Sequence, residues 1–182
     1  NQGPNETIAR SVNSGVAWAA AAVVPNTNED LFDVVVVNAT TAVAVGAGGE
    51  VLRSTDAGAN WTNPFDAGAN DLFAVASSGS SVVTVGQNGD IAYSDDGGAT
   101  WVSPVSPTAN DLQDVRYLTG SIVLAVGDGG TILGSTDHGL TWTAQTSTTT
   151  QNLTGLAYNG LNNTLAVGAN GTILLSLNQI SV

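Results

Sequence analysis

Carboxylates are the side chains best equipped for chemistry in this 182-residue sequence, and two sets of them recur at fixed spacing. Asp56, Asp96 and Asp137 each lie two residues after a serine and five before a tryptophan. Carboxyl groups at a set separation can share acid and base work, as in glycoside hydrolysis. Asp30, Asp71 and Asp111 form the second set, with Asn152 at the fourth equivalent place. Hard cations take oxygen ligands, so this set could hold calcium or form an acidic recognition surface.

The remaining reactive inventory is small. His138 is the sole histidine, there is no cysteine, and Arg10, Arg53 and Arg116 are the only cationic side chains. Thiolate chemistry and Cys-based zinc sites are excluded, and a transition-metal site lacks its ligands. Ser-His-Asp catalysis would have to use His138. The net charge of −12 leaves no cationic footprint for phosphates, which excludes nucleic acid and disfavours anionic membranes. No apolar run approaches the roughly 20 residues that span a bilayer. A basic partner or a divalent cation is electrostatically easier.

The carboxylates are positioned by a repeat. STDAGANW (54–61), SDDGGATW (94–101) and STDHGLTW (135–142) share Ser-x-Asp-x-Gly-x-x-Trp. The recurring residues are Ser54, Asp56, Gly58 and Trp61; Ser94, Asp96, Gly98 and Trp101; and Ser135, Asp137, Gly139 and Trp142. SVNSGVAW (11–18) carries Asn13 in place of Asp, and a last copy starts at Ser176. Successive copies are 43, 40, 41 and 41 residues apart.

Before each motif comes Val-Gly and a tight turn: VGAGG (45–49), VGQNG (85–89), VGDGG (126–130) and VGANG (167–171). Gly-Gly or Asn-Gly between apolar runs signals a hairpin with φ > 0 at both central residues. Earlier lie the opening strands NEDLFDVVVV (28–37), NDLFAVAS (70–77), NDLQDVRYL (110–118) and QNLTGLAY (151–158). One unit reads as four short strands, near 31–37, 41–46, 50–54 and 60–63 in the second copy. AWAAAAVV (17–24) reads as an outer strand.

Four antiparallel strands per 41 residues is the size of a propeller blade. The expected fold is all-β, a β-propeller of about four four-stranded blades in one domain over 1–182. The repeat units run roughly over 1–27, 28–68, 69–108, 109–149 and 150–182. A composition of 42% hydrophobic and 10% charged residues suits a folded chain with a neutral, hydroxyl-rich surface.

In that frame the Asp of each motif is expected to accept N–H bonds within the turn between third and fourth strands. Gly supplies φ > 0 and Trp anchors the outer strand. Asp30, Asp71 and Asp111 start the innermost strands. They either ring the mouth of the axial channel or cap strand starts. His138 fills a variable turn position, beside Ser14, Ala57 and Gly97 in other copies. Tyr117 and Tyr158 replace Val36 and Ser77 at one position, next to Arg116. They form either a recognition patch for a peptide or sugar, or packing between blades.

The pattern VG-x-x-G-x-I-x-x-S-x-D-x-G-x-x-W resembles the Asp-box (BNR) repeat of sialidases, sortilin-type receptors and xyloglucan-cleaving glycosidases. It is most similar to the photosystem II stability/assembly factor-like group, in which Gly-rich turns precede every box. The resemblance implies boxes on the outer rim, remote from active sites, and a non-enzymatic, exported, protein-binding propeller. Sialidase chemistry would need several Arg and a Tyr/Glu pair, which this sequence lacks.

PNETIARS (4–11) aligns with ANGTILLS (169–176), so there are five third strands against four of each other kind. The chain is expected either to close on itself or to be completed by another chain, as a ring or a filament. The functional expectation is a secreted, periplasmic or cell-surface scaffold that binds a protein partner. A self-assembling structural subunit and a glycan-binding, lectin-like propeller are the alternatives. The start at Asn1 fits a processed precursor or a cut chain. The sequons at Asn5, Asn38, Asn60, Asn152, Asn162 and Asn170, and the hydroxyl-rich loop 146–152, matter in a glycosylating pathway.

Overall fold

Val, Ala, Thr and Leu alternate with turn residues throughout the chain, and the computed structural model describes residues 8–21, 29–160 and 163–176 as antiparallel meanders. A short hairpin pairs β1 (Ala9–Arg10) with β2 (Ala19–Ala20). The first blade contains β3 (Leu31–Val36), β4 (Ala42–Gly46), β5 (Glu50–Ser54) and β6 (Thr62–Asp66). The second contains β7 (Leu72–Ser78), β8 (Ser81–Gly86) and β9 (Ile91–Ser94). The third contains β10 (Leu112–Tyr117), β11 (Val123–Gly127), β12 (Ile132–Ser135) and β13 (Thr143–Ala144). The fourth contains β14 (Leu153–Tyr158), β15 (Thr164–Gly168) and β16 (Ile173–Ser176). Among the described residues no helix is long and apolar enough to cross a membrane.

The turn joining second to third strands is identical in all four blades. Its two central residues are left-handed: Gly48 and Gly49, Asn88 and Gly89, Gly129 and Gly130, Asn170 and Gly171. This is the φ > 0 pair that the Gly-Gly and Asn-Gly dipeptides predict.

Outer strands are the least regular. The expected strand at 60–63 lies at Thr62–Asp66, with a register shift. In the second blade the outer strand shrinks to one bridge, Tyr93 with Val102. Pro104 and Pro107 follow and cannot donate to a ladder. Of the expected strand over 17–24, β2 is described and 22–24 lie outside the described residues; likewise 4–7 lie outside the strand expected over 4–11.

The core lies in the seams between blades. Val43, Val45 and Val51 of the first blade pack on Leu72, Val75 and Val82 of the second. Val83, Val85 and Tyr93 pack on Leu112, Val115 and Trp142 of the third. Leu124 and Val126 pack on Leu153, Leu156 and Ala166 of the fourth. Each blade thus has a front face that covers the back face of the next. Leu72, Leu112 and Leu153 occupy one repeat position and are fully buried. Each such side chain contributes about 1.5–3 kcal/mol.

The same positions are bare at the two ends of the arc. Val45, Val85 and Val126 are 0% exposed, yet their equivalent Val167, on the front of the fourth blade, is 45% exposed. Val75, Val115 and Leu156 are 6%, 4% and 7% exposed, whereas Val34, on the back of the first blade, is 59% exposed.

Candidate functional site

Each Asp-box is a closed local network. Ser54 Oγ donates to Asp56 Oδ1 at 2.9 Å and accepts the Gly58 N–H at 2.9 Å. Asp56 also accepts the Asn60 N–H at 2.9 Å and its Nδ2 at 2.6 Å. Asp96 accepts the N–H groups of Ala99 and Thr100, each at 2.9 Å, and the Thr100 hydroxyl at 2.7 Å. Asp137 accepts the Thr141 N–H at 2.8 Å and its hydroxyl at 2.6 Å. The ring N–H groups of Trp61, Trp101 and Trp142 donate to the carbonyls of Gly58, Gly98 and Gly139 at 3.2, 3.0 and 2.8 Å. Asn13 plays the aspartate's part in the first copy, accepting from Ser11 Oγ at 2.8 Å and the Ala17 N–H at 2.9 Å.

These donors fix the charge state. The Asn60 side chain and backbone hold Asp56 down at about 2. At Asp96 burial pushes upward, but the bonds from Thr100, Ser94 and Ala99 outweigh it and leave the carboxyl at about 2. Asp137 is lowered against the same burial by Thr141 and Ser135. A carboxyl near 2 has no proton to give at neutral pH and is a weak base.

Because these folded-state values lie below the ordinary 3.8, folding is favoured while the groups are ionised. Their contribution is complete above about pH 4 and fades as pH falls through about 2. Urea titrations from pH 6 to pH 2 should show the wild type losing stability below pH 4. Asp96→Asn should lose less over that interval from a lower start. Equal acid slopes would contradict the assignment.

Asp71 and Asp111 do two jobs at the starts of their strands. Their carbonyls accept the N–H groups of Gln87 and Asp128 in their own blades, at 2.8 and 2.9 Å. Their carboxylates reach back to the preceding blade, accepting from Gly48 N–H at 2.9 Å and Asn88 N–H at 2.8 Å. Asn152 Oδ1 does the same for Gly129 N–H at 3.0 Å. Asp30 begins the first blade, and its carbonyl accepts the Ala47 N–H at 2.8 Å. Among the described residues, no three His, Asp or Glu side chains converge to hold a metal ion.

The arginines also span seams. Arg53 Nε donates to the Gly97 carbonyl at 2.8 Å, and Arg10 Nη1 to the Ala57 carbonyl at 3.1 Å. Both acceptors occupy the variable box position. At the next seam Tyr93 takes the arginine's place, and the His138 carbonyl accepts the Tyr117 hydroxyl at 2.8 Å instead. Burial raises the Tyr117 phenol above its ordinary value. His138 itself is left-handed, with Nδ1 3.4 Å from Ser81 Oγ. Tyr117 packs in the seam between second and third blades, Tyr158 in the seam between third and fourth, and Arg116 is exposed. The two tyrosines therefore lie in separate seams.

One feature of the inner edge is absent from the motif-based reading. Opening strands β3, β7, β10 and β14 neighbour one another from blade to blade. Each has a bulge at its second residue: Phe32, Phe73, Gln113 and Thr154. A bulge re-aims its side chain. Phe32 and Phe73 meet there with ring centroids 6.0 Å apart and planes tilted by 50°. Phe32 is exposed and Phe73 half-buried. Next to them Asp33 accepts the Val75 N–H at 2.9 Å, and Asp114 accepts the Leu156 N–H at 2.6 Å. Burial raises Asp114, with the N–H groups of Leu156 and Val115 and the charge of Arg116 opposing and Asp33 adding to the rise. The available signal was the aromatic following Asp-Leu in two of the four opening strands.

A groove of about 530 Å³ lies on the back of the first blade, bounded by Ala9, Arg10, Val34, Val36, Ala44 and Trp61.

A model of the BNR/Asp-box repeat matches residues 92–103, the box of the second blade. No curated protein sequence matches the chain significantly. Among solved structures the chain is similar to YCF48 bound to D1 peptide, at 18% identity and a TM-score of 0.67, covering 81% of this chain and 50% of that one. It is similar to YCF48 from Cyanidioschyzon merolae at 22% identity and a TM-score of 0.66, covering 84% and 54%. The GH74 xyloglucanase of Xanthomonas campestris aligns at 16% identity and a TM-score of 0.73, covering 93% and 33%. The chain spans about half the length of the YCF48 chains. This protein carries the BNR/Asp-box repeat on a β-propeller-type fold.

Proposed function

We propose that the chain is a non-catalytic, exported propeller that binds a peptide segment of a partner protein along its inner edge. The observation that carries this reading is the Phe32–Phe73 ring pair, with Phe32 exposed, next to Asp33. Aromatic side chains make effective anchors for a bound segment. A net charge of −12 steers a basic partner rather than an acidic one. The absence of catalysis is supported by the box carboxylates, which are occupied within their own turns and held ionised. The likeness to YCF48 bound to D1 peptide lends support through a shared fold.

A peptide array graded from acidic to basic tests it. The wild type should retain basic peptides containing apolar residues. Phe32→Ala/Phe73→Ala should lose at least tenfold in affinity while still unfolding in one cooperative thermal transition. Equal binding by the double variant, or hydrolysis of a polysaccharide, would overturn it.

A further inference from the structure

The arc carries one open face and one that the β1–β2 hairpin covers only in part, and three internal seams show what covers such faces. The front of the fourth blade exposes Leu165, Val167, Ile173 and Leu175. The back of the first blade exposes Val34 and Val36 above the groove. At every seam within the chain, a front face of the first kind lies on a back face of the second kind.

The β1–β2 hairpin bounding that groove is half a blade. By alignment, β1 is a third strand and β2 an outer strand. In the first and third blades the third strand is paired on both sides, whereas among the described residues β1 pairs with β2 alone. Two inner strands added to this half-blade would occupy the groove. The fourth blade has the opposite deficit: β14 and β15 are inner strands, and no outer strand is described beyond β16. Trp18, on the β1–β2 side, is 66% exposed, while Trp61 and Trp142 at the same repeat position are 4% and 7% exposed.

We propose that the β14–β15 hairpin of one chain enters this groove on a second copy and completes its β1–β2 hairpin as a four-stranded blade. In the completed blade β1 displaces β16 from the edge of β15, so Ala166 faces Ala9 as it now faces Leu174. Leu165 and Val167 then lie on Val34 and Val36, as Val83 and Val85 lie on the third blade.

The proposed occupant is a second copy, because a copy presents the same front face that covers a back face at each seam within the chain. Phe32 and Asp33 border both this groove and the inner edge, but the inference rests on the seams and does not depend on the peptide-binding reading.

The lack of native cysteine makes disulfide trapping clean. Ala9→Cys and Ala166→Cys are prepared as separate chains, mixed and oxidised at about 0.15 M salt, an ionic strength that screens repulsion between acidic copies. The mixture should give a two-chain disulfide, and neither variant alone should do so. Light scattering should give at least two chains per particle for the wild type and one for Val167→Asp, whose site is already exposed. A strictly monomeric wild type at tens of micromolar, or an internal disulfide in an Ala9→Cys/Ala166→Cys double variant, would overturn the inference.

Discussion

Gly127→Ala should destabilise the chain by about 4 kcal/mol or more, at the extreme of single substitutions. A Cβ at Gly127 would stand 2.0 Å from the Asp111 carbonyl oxygen and 2.9 Å from Leu112 Cα. Both atoms are backbone, so no side chain can swing aside. The approach is tight because Asp128 N–H donates to that same carbonyl at 2.9 Å, drawing the turn onto the strand start. Moving the carbonyl would break this bond and shift the Asp111 carboxylate away from Asn88 in the preceding blade. Gly46, Gly86 and Gly168 stand in the same relation to Asp30, Asp71 and Asn152, at 2.0–2.1 Å. Gly120 provides the control, since a Cβ there meets nothing within 4 Å. Gly120→Ala should be neutral, or stabilising by up to about 1 kcal/mol through the unfolded chain. Urea unfolding followed by tryptophan fluorescence measures both, and comparable midpoints would refute the argument.

Trp142→Ala should cost about 3–5 kcal/mol, as expected for a buried aromatic. The ring is 7% exposed in the seam formed with Val83, Val85 and Ile91 of the second blade, and its N–H donates to the Gly139 carbonyl at 2.8 Å. Truncation removes apolar contact across a seam and orphans a carbonyl in one step. Trp18→Ala, at the same repeat position, should change dilute-solution stability by about 0.5 kcal/mol or less, because this ring lies in solvent. Thermal unfolding over a range of protein concentrations compares the two. The Trp142 effect should be independent of concentration, whereas the Trp18 effect should grow once copies join.

The hairpin turns and boxes were legible in the sequence because their chemistry is local. Asn-Gly and Gly-Gly dictate φ > 0, and Ser54, Asp56 and Asn60 satisfy one another within one turn. The role of the strand-start acids was half legible. A strand-start cap was one of two expectations, but the capped N–H belongs to another blade, and no local spacing announces such a partner. The seam bonds of Arg53 to Gly97 and Asp33 to Val75 span 44 and 42 residues, and they follow from how blades stack. Phe32 and Phe73 lie in the expected opening strands, where the local sequence sets them apart only as aromatics after Asp-Leu. Period-two alternation assigns a side and cannot reveal that a bulge re-aims the residue. The shrinkage of the second outer strand could have been anticipated from Pro104 and Pro107, which punctuate the segment where a ladder would run.

The back-reaching side chains at the strand starts impose an order on synthesis. Asp71, Asp111 and Asn152 each lie 23 residues downstream of the turn N–H they satisfy. A chain leaving the ribosome from its N-terminus therefore presents each turn before its acceptor exists, and each blade is secured only when the next opening strand emerges. Locking runs one step behind elongation, and the newest hairpin is always the least protected against proteases or mispairing.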